Sequence, residues 1–323
     1  MASQKIFGTK PNVKFTLNDN CDTIFKAFST VFPSAFKLNC FAHMVSRNLP
    51  KYACKLSTCK IKEIEKDLNQ MGDLAYEQDF KRSLELFRTK YSCEREFLET
   101  FEKEYLTVHK GHWTFSVLPP GTPRSNNGLE GYNNVFKSLV TEREAMKAFG
   151  FLVSLETHII VTSRYVNNKY VHKITYYHVH MEENRKKHIR KTYEKALQEE
   201  FYFTCIDDAI IVPAKKNRAG GCTTERVKSI HDTYLSTPED ENLNQFLDRC
   251  FSCWQITRNA DAPYGYDCSC PVYCLYSQCK HAIRYSVEQG VHEIPDGLDF
   301  RSLGRAGKRG RPKGVGNCYS RYD

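Results

Sequence analysis

The chain has 323 residues, and its 41% hydrophobic and 26% charged residues are typical of a globular protein, not of a disordered or collagen-like one. Basic residues outnumber acidic ones by 47 to 38, and the net charge of +9 favours an anionic partner such as nucleic acid. No apolar run reaches the ~20 residues that a membrane span needs, so we expect no membrane partner. Fourteen irregularly spaced cysteines and no signal-peptide pattern indicate a reduced, intracellular chain with thiols available to metal.

The first fifty residues predict alternating strands and helices. Val13–Leu17 alternates as a strand does, and an apolar helical repeat then runs to Pro33. Phe36–Leu38 predicts a second strand, and a helix is expected over about Ala42–Lys51. This order indicates an α/β unit with parallel strands.

Residues 56–108 are polar, rich in lysine and glutamate, and helical in period, so we expect a helical insertion that packs on itself. Its apolar stripes are Leu84, Leu86, Phe87, Phe97, Phe101 and Tyr105. A proline-rich loop follows, and Ser125–Glu130 opens a helix that continues to about Val140. The residues of that helix expected to face the core are Leu129, Tyr132, Phe136 and Leu139.

The second half predicts two long helices and three strands. The helices cover Glu142–Asn168 and His178–Glu200; the basic run in the second is typical of a solvated face, with phosphate contact as the alternative. Strands are expected at Phe201–Cys205, Ala209–Pro213 and Trp254–Thr257.

Two closely spaced pairs of metal-ligand residues lie near the end of the chain. Cys268 and Cys270 form the first pair, and Cys279 and His281 form the second, at the start of a predicted helix. Three thiols and one imidazole complete a tetrahedral zinc set and leave no position for a substrate, which indicates a structural site. Two alternatives stay open: the thiols are ordinary, or Cys274 competes as a ligand.

This pattern resembles the SWIM zinc finger, written CxCx(n)CxH, and the match extends to Pro271 and Lys280. The resemblance implies a small ββα zinc unit at about residues 251–288, with one structural Zn²⁺. It also implies binding of nucleic acid, or of a protein partner through the finger.

A second resemblance involves two segments of the chain, the early strands and the helix after residue 125, which match motifs of one family. The segment NDNCDTIFKAFSTVFPSAFKLNCFAHMVSRNL is similar to the transposase domain of Mutator-like elements, with Asp19 at the second catalytic acid and Cys40 and His43 at the Cys-x-x-His motif. The third acid of that family lies in a motif resembling TNN-x-x-E-x-x-N. Its matching residues here are Ser125, Asn126, Asn127, Glu130 and Asn133. Without the resemblance, Glu130 is read equally well as part of a capping box behind Asn127.

The resemblance implies an RNase H-like core whose three carboxylates bind two Mg²⁺ ions for strand transfer. Eighteen residues precede Asp19, and none is acidic, so the first acid has no counterpart. We therefore expect Asp19 and Glu130 to be ancestral and inactive, with Mg²⁺ bound only if an intact core exists. The expected fold is α+β and helix-rich, an incomplete, N-terminally truncated transposase core followed by the finger.

The last segment, Gly304–Gly314, is basic and disordered by composition. Its residues Arg309, Gly310, Arg311, Pro312 and Lys313 resemble an AT-hook, which inserts arginines into narrow A/T minor grooves. A nuclear-localisation signal or a plain basic tail is the alternative reading. The hook and the nuclear signal both place the protein in the nucleus.

The predicted domains are a partial transposase domain over 1–140 with the insertion at about 56–110, a helical region over 141–200, a zinc-finger region over 201–300, and the tail over 301–323. Three functions follow. The first is a transposase-derived zinc protein that binds DNA without strand transfer. The second is a fragment of an active transposase, and the third is a zinc-dependent protein-interaction module.

Overall fold

Two small sheets and a set of helices make up the described part of the chain, in a computed structural model that is α+β and helix-rich. The structure describes residues 12–45, 49–52, 56, 58–107, 112–139, 149–156, 188–217 and 222–294. Within these residues, no helix combines the length and apolar character that crossing a membrane requires.

The strands are β1 Phe15–Asn18, β2 Phe36–Asn39, β3 Thr204–Ile206, β4 Ala209–Pro213, β5 Cys253–Arg258 and β6 Tyr266–Cys268. The helices of the first half are α1 Asp22–Val31, α2 Phe41–His43, α3 Thr58–Gly72, α4 Glu77–Lys90, α5 Arg95–Tyr105 and α6 Asn127–Leu139. Residues 149–156 (α7) and 188–198 (α8) are also helical. The remaining helices are α9 Thr224–Leu235, α10 Leu243–Cys250, α11 Pro271–Tyr276 and α12 Lys280–Glu288.

β1 and β2 pair in parallel, as the sequence predicts, with α1 as the connection between them. The register runs from Phe15 opposite Phe36 to Asn18 opposite Asn39. Parallel strands with this connection end at the same edge of the sheet, so the residues that follow both strands lie close together.

The structure bears out the helix expected over about Ala42–Lys51 in part. Helix α2 covers Phe41–His43, a π-helical turn continues to Val45, and a 3₁₀ turn covers Leu49–Tyr52. Pro50 has no N–H to donate and is tolerated in the first turn of such a segment. Residues 46–48 lie outside the described chain.

Helices α3, α4 and α5 pack around a large apolar core in which Trp113 is fully buried. The indole Nε1–H of Trp113 donates to the carbonyl oxygen of Tyr105 at 2.9 Å, so its polar atom is satisfied. Leu243, Phe246 and Leu247 of α10 belong to the same core. The predicted insertion is therefore helical, but it packs on a distant helix as well as on itself.

One buried acid joins two helices of this core. Asp67 on α3 is 1% exposed and accepts hydrogen bonds from Lys90 Nζ at 2.7 Å and from the Tyr91 hydroxyl at 2.8 Å. Burying a carboxylate requires such partners, because an unpaired buried charge is strongly unfavourable.

The second sheet is an antiparallel meander in the order β3-β4-β5-β6. Helices α9 and α10 lie between β4 and β5 in the chain, and each begins at a polar cap. Thr223 accepts the backbone N–H of Arg226, and Asn242 forms a reciprocal capping box with Gln245. These two helices have no counterpart in the sequence prediction.

Candidate metal centre and polar cluster

The end of β6 and the starts of two helices bring the four predicted zinc ligands together. Cys268 is the last residue of β6, and Cys270 is the residue before α11, with Pro271 at the first helical position. Cys279 caps α12, and its sulfur accepts the backbone N–H of Ala282 at 3.3 Å. His281 lies within the first turn of α12, so the metal-ligand spacing follows directly from the local structure.

The ligand atoms of Cys268, Cys270, Cys279 and His281 all lie within 4.8 Å of one another, and all four residues are buried. The sulfur of Cys268 is 3.9 Å from Nδ1 of His281. In a tetrahedral zinc site with Zn–S near 2.3 Å, neighbouring ligand atoms lie about 3.3–3.8 Å apart. The set therefore needs only small side-chain movements to close around one metal ion, and zinc fits the three-sulfur, one-nitrogen donor set.

The ionisation of the three thiols is uneven. Burial raises the pKa of Cys268 well above its ordinary value, and burial likewise raises the pKa of Cys270. Burial also opposes ionisation of Cys279, but hydrogen bonds from the other two thiols and from the N–H groups of Ala282 and His281 hold its pKa well below the ordinary value. Cys279 is therefore the thiol best prepared to bind metal as a thiolate.

Aromatic rings close the site to solvent. The ring of Phe201 is 5.6 Å from that of His281 in an edge contact, and the ring of Trp254 is 6.5 Å away. Tyr273 is 1% exposed and donates its hydroxyl to Asp267 Oδ1 at 2.6 Å. A site with four protein ligands and an apolar surround has no open position, so it is suited to structure and not to catalysis.

A second cluster forms at the carboxyl ends of β1 and β2. Asp19 follows β1, Cys40 follows β2, and His43 lies on α2. The imidazole Nδ1 of His43 is 3.1 Å from Asp19 Oδ1 and 3.1 Å from Cys40 Sγ. The structure therefore brings together the three residues that the sequence marks out in this region.

Asn126, the residue before helix α6, and Glu130 in the first turn of α6 complete this cluster. Asn126 donates its side-chain amide to Asp19 Oδ1 at 2.6 Å, and the thiol of Cys40 donates to Asn126 Oδ1 at 3.0 Å. Glu130 Oε1 lies 2.9 Å from His43 Nε2, although the ring is turned so that the contact is not a well-directed hydrogen bond. Glu130 thus lies beside His43. Asn127 is the first residue of the helix and not its cap, which does not fit the alternative of a capping box between Asn127 and Glu130.

Comparison with protein families, with curated proteins and with solved structures finds no match to this chain. The geometry of the two clusters is therefore the basis for any assignment of function.

Several predicted residues lie elsewhere. Cys274 is buried, but it is not among the four clustered ligands, and its carbonyl oxygen accepts the N–H of Gly121 at 2.9 Å. Asn133 is exposed on α6. The tail residues Arg309, Gly310, Arg311, Pro312 and Lys313 lie outside the described chain, as do the side chains of Leu129, Tyr132, Phe136 and Leu139.

The structure adds contacts of Asn126 that its place in the motif does not predict. Its amide contacts Asp19 and Cys40 at once, and its backbone N–H lies 3.4 Å from the Cys40 sulfur. Its place in the asparagine pair before Glu130 is the sequence feature that marks it.

Proposed function

We propose that this chain is a transposase-derived zinc protein that binds nucleic acid and does not catalyse strand transfer. The observation that carries the proposal is the convergence of three cysteines and one histidine in a buried, closed cluster. One structural Zn²⁺ in this cluster would fix β6, α11 and α12 relative to one another. We assign the unit to the SWIM type on its ligand spacing and on the strand-then-helix order around it.

The arrangement of β1, β2 and α6 supports descent from an RNase H-like core. Asp19 lies at the end of a parallel strand, and Glu130 lies on a helix that approaches it. The imidazole of His43 stands between the two, 3.1 Å from Asp19 Oδ1 and 2.9 Å from Glu130 Oε1. A two-metal site needs carboxylates that share ions about 3.5–4 Å apart. An imidazole in that space disfavours the two-metal mechanism.

Charge supports nucleic acid as the partner and the nucleus as the location. The chain carries +9, and its AT-hook-like tail concentrates arginine and lysine beside glycine. Phosphate contacts release counterions, so binding through this charge must weaken steeply as salt rises.

The test is a binding titration on duplex DNA over a range of salt concentrations. Wild-type protein should bind with a steep salt slope, and deletion of residues 304–323 should weaken binding and flatten that slope. Cys268→Ser should also weaken binding if the finger contributes, whereas Cys93→Ser, at an exposed cysteine, serves as the matched control. Loss of affinity in the control alone, or binding that ignores salt, contradicts the proposal.

A protein-interaction module is the second candidate. Val272 and Tyr276 on α11 are 46% and 49% exposed, so the finger presents apolar side chains to solvent. Apolar docking depends weakly on salt, and a binding partner retained at high salt while DNA is released favours this candidate.

An active transposase fragment is tested separately. Incubation with DNA and Mg²⁺ or Mn²⁺ should give no cleavage or strand transfer. Activity that disappears in Glu130→Gln would instead establish a working catalytic site.

A further inference from the structure

The cluster around His43 contains the donor atoms of a second metal site. Asp19 Oδ1, Cys40 Sγ and a ring nitrogen of His43 lie within 4.8 Å of one another, as do the ligands of the first cluster. Cys40 and His43 are 2% and 7% exposed, so their donor atoms are largely withdrawn from water. All three come from the carboxyl edge of a parallel sheet, where ligands usually bind in open α/β sheets.

We infer that Asp19, Cys40 and His43 bind a second metal ion, a transition metal of the zinc class. This site lies beyond the proposed function, which requires metal only at the Cys₃His cluster. A thiolate and an imidazole are soft or borderline ligands that select zinc or cobalt, whereas Mg²⁺ prefers oxygen ligands. The donor set therefore specifies a different metal from the one that strand transfer would use.

The two ring nitrogens of His43 face different groups, one the proposed metal position and the other a carboxylate. Nδ1 faces Cys40 Sγ and Asp19 Oδ1, each at 3.1 Å, which places it on the side of the other two donors. Nε2 lies 2.9 Å from Glu130 Oε1 on the opposite side of the ring. A histidine that binds metal through one nitrogen commonly meets a carboxylate through the other, which fixes the tautomer and orients the ring. A small rotation of the ring on metal binding would direct Nε2–H at Glu130, which makes Glu130 a positioning residue and not a ligand.

Asn126 supports the other two donors. Its side-chain amide holds Asp19 Oδ1 at 2.6 Å, and its backbone N–H lies 3.4 Å from Cys40 Sγ, where it would stabilise a thiolate. The contacts of Asn126 and Glu130 thus orient all three donors from outside the set.

Three protein ligands leave a fourth coordination position to water or to an added ligand. The side chain of Asp19 is 41% exposed, so this position has access to solvent. The two metal sites should therefore differ, one closed with three sulfurs and one open with a single sulfur.

Metal content of the purified full chain tests the proposal directly. Wild-type protein should hold about two zinc ions per chain, and Cys268→Ser and Cys40→Ser should each hold about one. Cys21→Ser is the control for Cys40→Ser, because Cys21 is exposed and lies outside the cluster. One zinc in the wild type with none in Cys268→Ser overturns the second site, as does an unchanged content in a folded Cys40→Ser.

Cobalt titration of the wild-type protein provides a test that does not depend on the folding of any cysteine variant. Co²⁺ titrated into metal-free wild-type protein should fill two classes of site. Their spectra should differ, because sulfur-to-cobalt absorption grows with the number of thiolate ligands. Glu130→Gln should weaken the one-sulfur class by about 10–100-fold and leave the three-sulfur class unchanged. A single spectral class throughout the titration rejects the site and leaves the Cys₃His metal of the proposed function intact.

Discussion

Loss of one ligand at the Cys₃His cluster, the site of the proposed finger, should unfold the unit formed by β6, α11 and α12 and leave the helical core in place. The perturbation is Cys268→Ser, which replaces a 4% exposed sulfur with a poor zinc ligand of similar size. The effect can be followed at two positions, because the chain contains only two tryptophans. Trp254 lies 6.5 Å from the His281 ring, and Trp113 is buried in the helical core.

The expected magnitude follows from what else holds the finger. Among the described residues, its core has eight buried members, and three of these are the ligand cysteines. The two β-branched members, Val212 and Ile256, contribute about 1.5–3 kcal/mol each by burial. Zinc ligation contributes on the order of 10 kcal/mol to folding such a unit. Zinc bound as proposed would therefore be the largest single contribution, and its loss would exceed what the apolar contacts can replace.

Tryptophan fluorescence in single-tryptophan backgrounds measures the two regions separately. With Trp113→Phe present, Cys268→Ser or a chelator should shift Trp254 emission to longer wavelength as the indole becomes hydrated. With Trp254→Phe present, the emission of Trp113 should not move. Unchanged Trp254 emission in a metal-free protein refutes the dependence of this core on zinc. A simultaneous change at Trp113 refutes the independence of the helical core.

Three further predictions concern stability and thiol reactivity. Trp113→Ala should lower the free energy of unfolding by about 3–5 kcal/mol in urea denaturation, with Trp113→Phe losing clearly less; equal losses contradict the packing argument. Asp67→Ala should cost about 2–3 kcal/mol in the same assay, because the charged hydrogen bond to Lys90 is lost; a neutral result shows that the pair contributes nothing net. Burial raises the pKa of Cys253 to about 11, so its thiol should stay protonated and resist alkylation at pH 8. The exposed thiol of Cys205 should react under the same conditions. Mass spectrometry of the labelled peptides measures both, and equal labelling contradicts the prediction.

Local sequence rules were sufficient where the chain itself determines geometry. The alternation before Asn18 and the proline after Val31 predict the first strand and helix to within a few residues of the observed bounds. The spacing of the four predicted zinc ligands predicts their convergence, since each pair spans one strand end or one helix start. These features depend on neighbours in sequence, so no knowledge of the tertiary structure is needed.

Long-range packing could not be predicted in the same way. The packing of helix α10 on helix α4, which buries Phe246, depends on contacts across more than a hundred residues. Helix α10 itself carries a readable capping box at Asn242 and Gln245, so its existence was predictable even though its partner was not. The contact between Glu130 and His43 likewise joins two elements whose relation only the fold defines.

Helix α10 connects two regions between which the sequence predicts a domain boundary, at about residue 201. It precedes β5 directly in the chain, yet Leu243, Phe246 and Leu247 insert among helices that end more than a hundred residues earlier. A fragment starting near residue 201 would separate these three side chains from their partners. Both fragments would then expose an apolar surface to water. Each fragment expressed alone should therefore aggregate, whereas co-expression of the two fragments should restore solubility.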